Sequence, residues 1–152
     1  MKRTLSAMSI VMAIVLLTCM ASPATAAKPR ITLDNPPKGG VLELEVGESY
    51  TFNIEIASGP SFTLAMAMPD AYYPGRAIAW HGNDIAHAGT SAVLHLTITG
   101  KGSTADFEAV CDWPEPGTCW PDGVVPASIV VGVRSTQGEV LSERFDFAVV
   151  VP

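Results

Sequence analysis

The chain has 152 residues, of which 15 are acidic and only 9 are basic, and 48% of its residues are hydrophobic. An acidic chain lacks the positive surface that nucleic acids or an anionic membrane would need for binding. The length suits a short leader followed by one domain with a single core.

The first 26 residues have the pattern of a cleavable secretory signal peptide. Lys2 and Arg3 form a positive region, Leu5–Met20 is almost entirely apolar, and residues 24–26 read Ala-Thr-Ala, a small-residue cleavage site. The apolar run is shorter than a typical membrane-spanning helix, and its flanking residues are not those expected beside one. We therefore expect a leader over residues 1–26 and a single mature domain over residues 27–152.

Removal of the leader changes the net charge of the chain and indicates where the mature protein is located. Without Lys2 and Arg3, seven basic residues face fifteen acidic ones, which gives a formal net charge of −8. No second apolar span follows residue 27, so the sequence predicts a protein that is secreted, periplasmic or held in the cell envelope. An uncleaved anchor is the alternative, and the similarity of residues 16–19 to a lipoprotein box makes lipidation of Cys19 a further one.

Residues 41–56 carry the clearest structural pattern in the chain. Two runs alternate apolar and polar side chains around a turn at Gly47. Their apolar members are Leu42, Leu44 and Val46, then Tyr50, Phe52, Ile54 and Ile56. Because successive side chains of a strand point to opposite faces, each run has one apolar and one polar face. The pattern predicts two adjacent strands of an antiparallel sheet.

The same period of two recurs along the rest of the chain. It predicts an edge strand over residues 28–33 and strands over 62–68, 76–80, 92–99, 107–111, 127–134 and 140–151, with a loop over 81–90. Met66 and Met68 share the parity of Phe62, so we expect them to fill the core. The sequence therefore predicts an all-β, antiparallel two-sheet sandwich of seven to nine strands, with a small β-barrel as the alternative.

Two segments resemble a known class of domain. The opening run LELEVGESYTFNIEI and the closing ASIVVGVRSTQGEVLSERFDFAVVV are similar to the first and last strands of prokaryotic immunoglobulin-like modules. The resemblance implies an adhesive, substrate-binding or spacing role in an exported protein, and it implies no active site.

Cys111 and Cys119 are the two cysteines that remain after the leader is removed. In an oxidising compartment such an even pair is most simply a disulfide that closes a short loop. Free thiols are the alternative. A zinc or redox site fits the spacing poorly, because it is not Cys-x-x-Cys.

The loop between these cysteines is the first candidate for a ligand site. It is stiffened by prolines and presents aromatic and acidic side chains, so little ordering entropy is lost on binding. With two tyrosines of a separate loop, the candidate ligand-binding residues are Trp113, Trp120, Asp112, Glu115, Tyr72 and Tyr73. The alternative is that one tryptophan folds back as a lid on the sandwich.

A metal site is the second candidate. His81, Asp84 and His87 lie on one predicted loop, and two imidazoles with a carboxylate suit copper or zinc. His95 alternates outward on its strand and is expected to be solvated. Arg144 is expected to be an ordinary charge at the rim of a sheet.

The sequence favours a protein that is not an enzyme and needs no cofactor. Asp112 and Glu115 lie on a short surface loop, where the cleft needed for glycoside hydrolysis is not expected. The preferred function is an exported binding or cell-envelope module that recognises a glycan or protein ligand through its loops. The alternatives are a small periplasmic metal-binding protein and a structural subunit or spacer of a surface assembly. The last would require a long, apolar edge strand, for which residues 140–151 are the candidate.

Overall fold

The computed structural model describes residues 29–152 apart from positions 58, 60, 73, 74, 83 and 84. The leader with Cys19, and the candidate site residues Tyr73 and Asp84, lie outside the described residues. The strands are, in chain order, β1 (Arg30–Leu33), β2 (Val41–Glu43), β3 (Ser49–Ala57), β4 (Phe62–Ala71), β5 (Ile78–His81), β6 (Ile85–Gly89), β7 (Ala92–Gly100), β8 (Val110–Cys111), β9 (Cys119–Trp120), β10 (Val125–Ser135) and β11 (Val140–Val150). Helical structure in this part of the chain is limited to a 3-10 turn over Lys38–Gly40, and no helix in it has the length and apolar character to cross a bilayer.

Nine of these strands form two open sheets that pack face to face. One sheet has the order β1-β3-β7-β5 and the other β2-β11-β10-β4-β6, while β8 and β9 pair separately. Neither sheet closes on itself among the described strands, so the two-sheet sandwich is confirmed and the barrel alternative is wrong. Nine strands is the upper end of the predicted range, but the set differs in one place. β6 forms within the segment that the sequence predicts as a loop, whereas the strand predicted over 107–111 is reduced to β8, which joins neither of the two sheets.

The space between the sheets is filled by apolar side chains, and those of β3, β7 and β11 are the ones that the alternation predicts to be buried. They include Phe52, Ile54 and Ile56 of β3, Leu94, Leu96 and Ile98 of β7, and Ile129, Val131, Val133, Phe147 and Val149 of the hairpin formed by β10 and β11. Phe52 and Phe147 meet across the two layers with ring centroids 5.0 Å apart. Each fully buried side chain of this size stabilises the fold by roughly 2 kcal/mol.

The two alternating runs near the start of the domain do not pair with each other as predicted. β2 lies beside β11 in parallel, whereas β3 lies in the opposite sheet between β1 and β7. The predicted hairpin is wrong because the chain crosses between the sheets at Gly47, whose N–H donates to the Gly100 carbonyl at 2.8 Å. The crossing is so close that a Cβ at Gly100 would lie 2.6 Å from the Glu45 carbonyl oxygen. Alternation identifies the apolar face of a strand but not its neighbour.

The two methionines of β4 face outward, which corrects the expectation that they fill the core. Phe62 is buried, but the register of β4 against β10 shifts between Arg134 and Ser135. Such a bulge reverses which residues face the core. Ala65 and Ala67 are therefore buried, while Met66 is half-buried and Met68 is 44% exposed.

The long connection from β7 to β10 is tied to the end of the chain by Thr104, which is 1% exposed. The Thr104 hydroxyl donates to the Gly123 carbonyl at 2.7 Å and accepts from the Val151 N–H at 3.1 Å. The Thr104 N–H donates to the Val151 carbonyl at 2.8 Å. These bonds fix both ends of the connection against the sandwich and so position the cysteine loop within it.

Candidate ligand-binding site

The predicted disulfide between Cys111 and Cys119 is confirmed. It joins the two-residue strands β8 and β9, in which Val110 pairs with Trp120. Within the loop, the Asp112 N–H donates to the Thr118 carbonyl at 2.7 Å, and the Gly117 N–H donates to Asp112 Oδ1 at 2.8 Å. Asp112 has a φ of 61°, a left-handed conformation that aspartate tolerates better than most residues. The Asp112 carboxylate therefore helps to hold the loop in shape.

The two tryptophans of the loop have different surroundings. The Trp120 indole N–H donates to the Trp113 carbonyl at 2.8 Å, which commits its polar edge to the loop's own backbone. Trp113, by contrast, directs its ring toward residues from other parts of the chain. Both side chains are half-buried. Of the two, Trp113 is the one placed to contact a ligand together with a second loop.

Trp113 meets Tyr72, which directly follows β4. Their ring centroids are 6.3 Å apart at an angle of 74°. The Tyr72 N–H donates to the Pro126 carbonyl at 3.0 Å, which fixes its backbone beside the start of β10, and the residue is 39% exposed. The structure thus brings together two of the predicted site residues that are 41 positions apart in the chain.

Three charged residues complete this surface, and the sequence did not single out any of them as site residues. The guanidinium carbon of Arg144 lies 5.3 Å from the centroid of the Trp113 ring. Its Nε donates to Asp146 Oδ1 at 2.7 Å, and its terminal nitrogen is 3.7 Å from Asp70 Oδ2. We call Tyr72, Trp113, Arg144, Asp70 and Asp146 the Trp113 cluster.

The register of the sheet explains how the charges of the Trp113 cluster converge. Ser128 of β10 pairs with Asp70 of β4 on one side and Asp146 of β11 on the other. Residues opposite each other in a ladder share a face, so all three side chains lie on the outer face of the five-stranded sheet. Arg144 hydrogen-bonds to Asp146 and forms an ion pair with Asp70. These two acids lie on either side of Ser128, whose hydroxyl is buried without a hydrogen-bond partner. Alternation along β11 places Arg144 and Asp146 on one face, but only the pairing brings in Asp70.

The remaining predicted ligand residues have no observed contact with the cluster or lie outside the described part of the chain. Glu115 is exposed two residues after Trp113, and its carbonyl accepts from the Thr118 N–H at 3.2 Å. Tyr73 is not among the described residues. Asp122, another acid of this connection, accepts from the Ala109 N–H at 2.7 Å through Oδ1.

The predicted metal ligands are spread over both sheets. His81 ends β5 in the four-stranded sheet and His87 lies in β6 of the five-stranded sheet, while Asp84 is not described. His95 Nδ1 lies 2.8 Å from Asn53 Oδ1, a hydrogen bond across the outer face of the four-stranded sheet. Among the described residues, no group of three His, Cys, Asp or Glu is close enough to hold a metal ion. The metal site remains a prediction without support from this arrangement.

Comparison with protein-family models finds none that matches the chain, and comparison with curated proteins finds no significant match.

Proposed function

We propose that the protein is an exported, non-enzymatic binding module of immunoglobulin-like layout that recognises a glycan at the Trp113 cluster. The observation that carries this proposal is the 6.3 Å contact between Tyr72 and Trp113, which belong to separate loops. Aromatic side chains of this kind combine a large apolar face with a polar edge, and this combination suits the faces and hydroxyls of a sugar ring.

The charges beside the rings support recognition of a polyhydroxylated ligand. The carboxylates of Asp70 and Asp146 accept hydrogen bonds, and the guanidinium of Arg144 donates them. The carboxylate side chains remain 53% and 38% exposed, respectively, although each uses one oxygen for Arg144. Sugar hydroxyls both donate and accept, so they match a surface that offers both kinds of group.

The restraint of the cysteine loop lowers the entropic cost of binding a ligand. The disulfide, the Trp120 bond to the Trp113 carbonyl and the Thr104 bonds restrain the loop on three sides. A restrained loop loses little conformational entropy when a ligand binds. The disulfide also agrees with an oxidising compartment, which is what the leader sequence predicts.

A protein ligand is the alternative, and the outer face of the five-stranded sheet favours it. Met68 is 44% exposed and Ile85 is 43% exposed, and Met66, opposite Ile85, lies between them on this face. Apolar side chains on the outer face of a sandwich are typical of interaction surfaces. A protein ligand would need contacts over about 800 Å² of this face, far beyond the two aromatic rings.

The proposal is tested by removing the two rings in the purified mature protein. We expect Tyr72→Ala with Trp113→Ala to weaken retention on a glycan array by at least tenfold, because such aromatic anchors dominate small binding sites. The matched control is Val93→Ala, which trims an exposed apolar residue, 52% exposed, on the four-stranded sheet. Circular dichroism and the melting temperature establish that each variant is folded.

The outcomes separate the two candidate ligands. Unchanged glycan retention in the folded double variant would refute the proposal. Loss of a protein partner in Met68→Thr with Ile85→Thr, while glycan retention is absent from the unmodified protein, would favour the protein alternative.

A further inference from the structure

We infer that the Trp113 cluster selects glycans that carry free amino groups over neutral glycans, and neutral glycans over those that carry uronates. This inference rests on the proposed glycan function and adds the class of sugar. It follows from three features of the cluster: its local charge, the way it already holds a cation, and the carboxylate oxygens that remain exposed.

The local charge of the cluster is negative. Asp70 and Asp146 lie on either side of Ser128, and among the residues that the structure describes Arg144 is the one cation that contacts them. The next cation on this face of β10 is Arg134, six residues from Ser128 and thus about 20 Å along the strand. An anionic sugar would therefore meet two carboxylates and one cation that is already engaged.

Arg144 shows how this surface accommodates a positive group. Its guanidinium packs 5.3 Å from the Trp113 ring, hydrogen-bonds to Asp146 and forms an ion pair with Asp70. An aromatic face combined with carboxylates is the arrangement that proteins use to bind organic cations. The protonated amine of a sugar offers the same charge, and it would approach a surface already shaped for one.

Further bonding capacity remains beside Arg144. The arginine contacts Oδ2 of Asp70 and Oδ1 of Asp146, which leaves the second oxygen of each exposed carboxylate able to accept from a ligand. Ser128, which pairs with both acids in the sheet and is buried with its hydroxyl unbonded, adds a polar group on the same face. If a ligand amine draws one carboxylate away from Arg144, the other polar groups of the cluster can form a hydrogen bond with the Ser128 hydroxyl.

The expected selectivity follows from the attraction and repulsion at this surface. A unit charge about 5 Å from an exposed carboxylate is worth about fourfold in affinity in water, with opposite signs for an amine and a uronate. We therefore expect about tenfold tighter binding of an amino glycan than of a uronate glycan at low salt. Raising the salt to about 0.5 M should remove most of that difference, because the Debye length becomes shorter than the extent of the cluster.

The test compares three oligosaccharides of equal length by isothermal titration and tryptophan fluorescence with the mature protein. They are glucosamine, N-acetylglucosamine and galacturonate oligomers, at a mildly acid pH where the amine is protonated. The variant Asp70→Asn with Asp146→Asn should lose the preference for the amine and still bind the N-acetylated oligomer. The control, Asp34→Asn with Glu139→Gln, removes the same two charges from exposed positions elsewhere and should keep the preference.

Each outcome decides the inference. Amine over neutral over uronate, abolished only by the Asp70 and Asp146 changes, supports it. Equal binding of all three leaves the glycan function standing and overturns the selectivity, and a preference for the uronate overturns it outright. Binding of none of the three overturns the glycan function and the inference together. Tighter binding of a lysine-rich peptide than of any sugar would assign the cation site to a protein ligand.

Discussion

The outer faces of the two sheets differ in how their polar groups are used. On the four-stranded sheet, side chains opposite each other on β3 and β7 bond in pairs: Ser49 with Thr99 at 2.7 Å, Thr51 with Thr97 at 2.9 Å, and Asn53 with His95 at 2.8 Å. Each of these bonds joins two residues of the same ladder. This face satisfies its own hydrogen-bonding groups in the regular way expected of a solvated sheet.

The five-stranded sheet has a different outer face. It carries exposed Met68, the aromatic pair Tyr72 and Trp113, and a charged network, with the hydroxyl of Ser128 unbonded beneath it. Proteins rarely leave apolar and buried polar groups together on a solvated face without a functional reason. The difference between the two faces favours the outer face of the five-stranded sheet as the place for the proposed binding site.

The largest expected effect comes from releasing the connection between β7 and β10, which carries the cysteine loop and Trp113. Thr104→Val removes the hydroxyl that bonds to the Gly123 carbonyl and the Val151 N–H, and leaves both groups buried. We expect a loss of about 3 kcal/mol in the free energy of unfolding, measured by urea denaturation, and weaker ligand retention. Thr104→Ser keeps the hydroxyl and should retain most of the stability. If both variants are equally stable, the anchoring role of the hydroxyl is wrong.

Removing the disulfide should have a smaller effect that is confined to the five-stranded face. Cys111→Ala with Cys119→Ala releases a short loop, which should cost about 2 kcal/mol in the free energy of unfolding. Amide exchange should rise in residues 111–119 and stay unchanged in β3 and β7, whose ladder does not depend on the loop. Faster exchange throughout both sheets would contradict this separation of the two faces.

Much of the architecture could be predicted from the chain because it follows from local alternation. The inner faces of β7 and of the later part of β11 follow from neighbouring residues in sequence, and the disulfide follows from the presence of two cysteines in an exported chain. Pairing between distant strands does not. The crossing at Gly47 and the bulge opposite Ser135 depend on tertiary contacts, so the opening hairpin and the position of Met68 were predicted incorrectly.

The candidate site divides in the same way. Trp113 and Tyr72 can be picked out from the sequence as aromatic residues on two separate loops, and in the structure their rings are in contact. Arg144 appears in the sequence as an ordinary rim charge. It joins the site because β4, β10 and β11 are neighbours in a register that places Asp70 and Asp146 on either side of Ser128.

The edge of β11 bears on the structural alternative. β2 covers this strand only over Ala148–Val150, so its earlier residues present an edge without a neighbouring strand in the described part of the chain. That edge carries Glu143, Arg144 and Asp146, and charged side chains oppose pairing with another chain. A spacer that assembles through this edge is therefore less favoured than a module that binds through the Trp113 cluster.

The smallest expected effects come from two single changes, one on each outer face. One should lower the free energy of unfolding and the other should leave it unchanged or raise it. Thr97→Val breaks the bond to Thr51 on the four-stranded sheet and should cost about 0.5 kcal/mol, because both hydroxyls are near water. Ser128→Ala removes a buried hydroxyl that has no partner, so it should leave stability unchanged or raise it by up to about 1 kcal/mol. Urea denaturation under identical conditions measures both. A clear loss of stability in Ser128→Ala would mean that its hydroxyl is bonded in solution, and the contrast between a satisfied and an unsatisfied face would then fail at its most buried point.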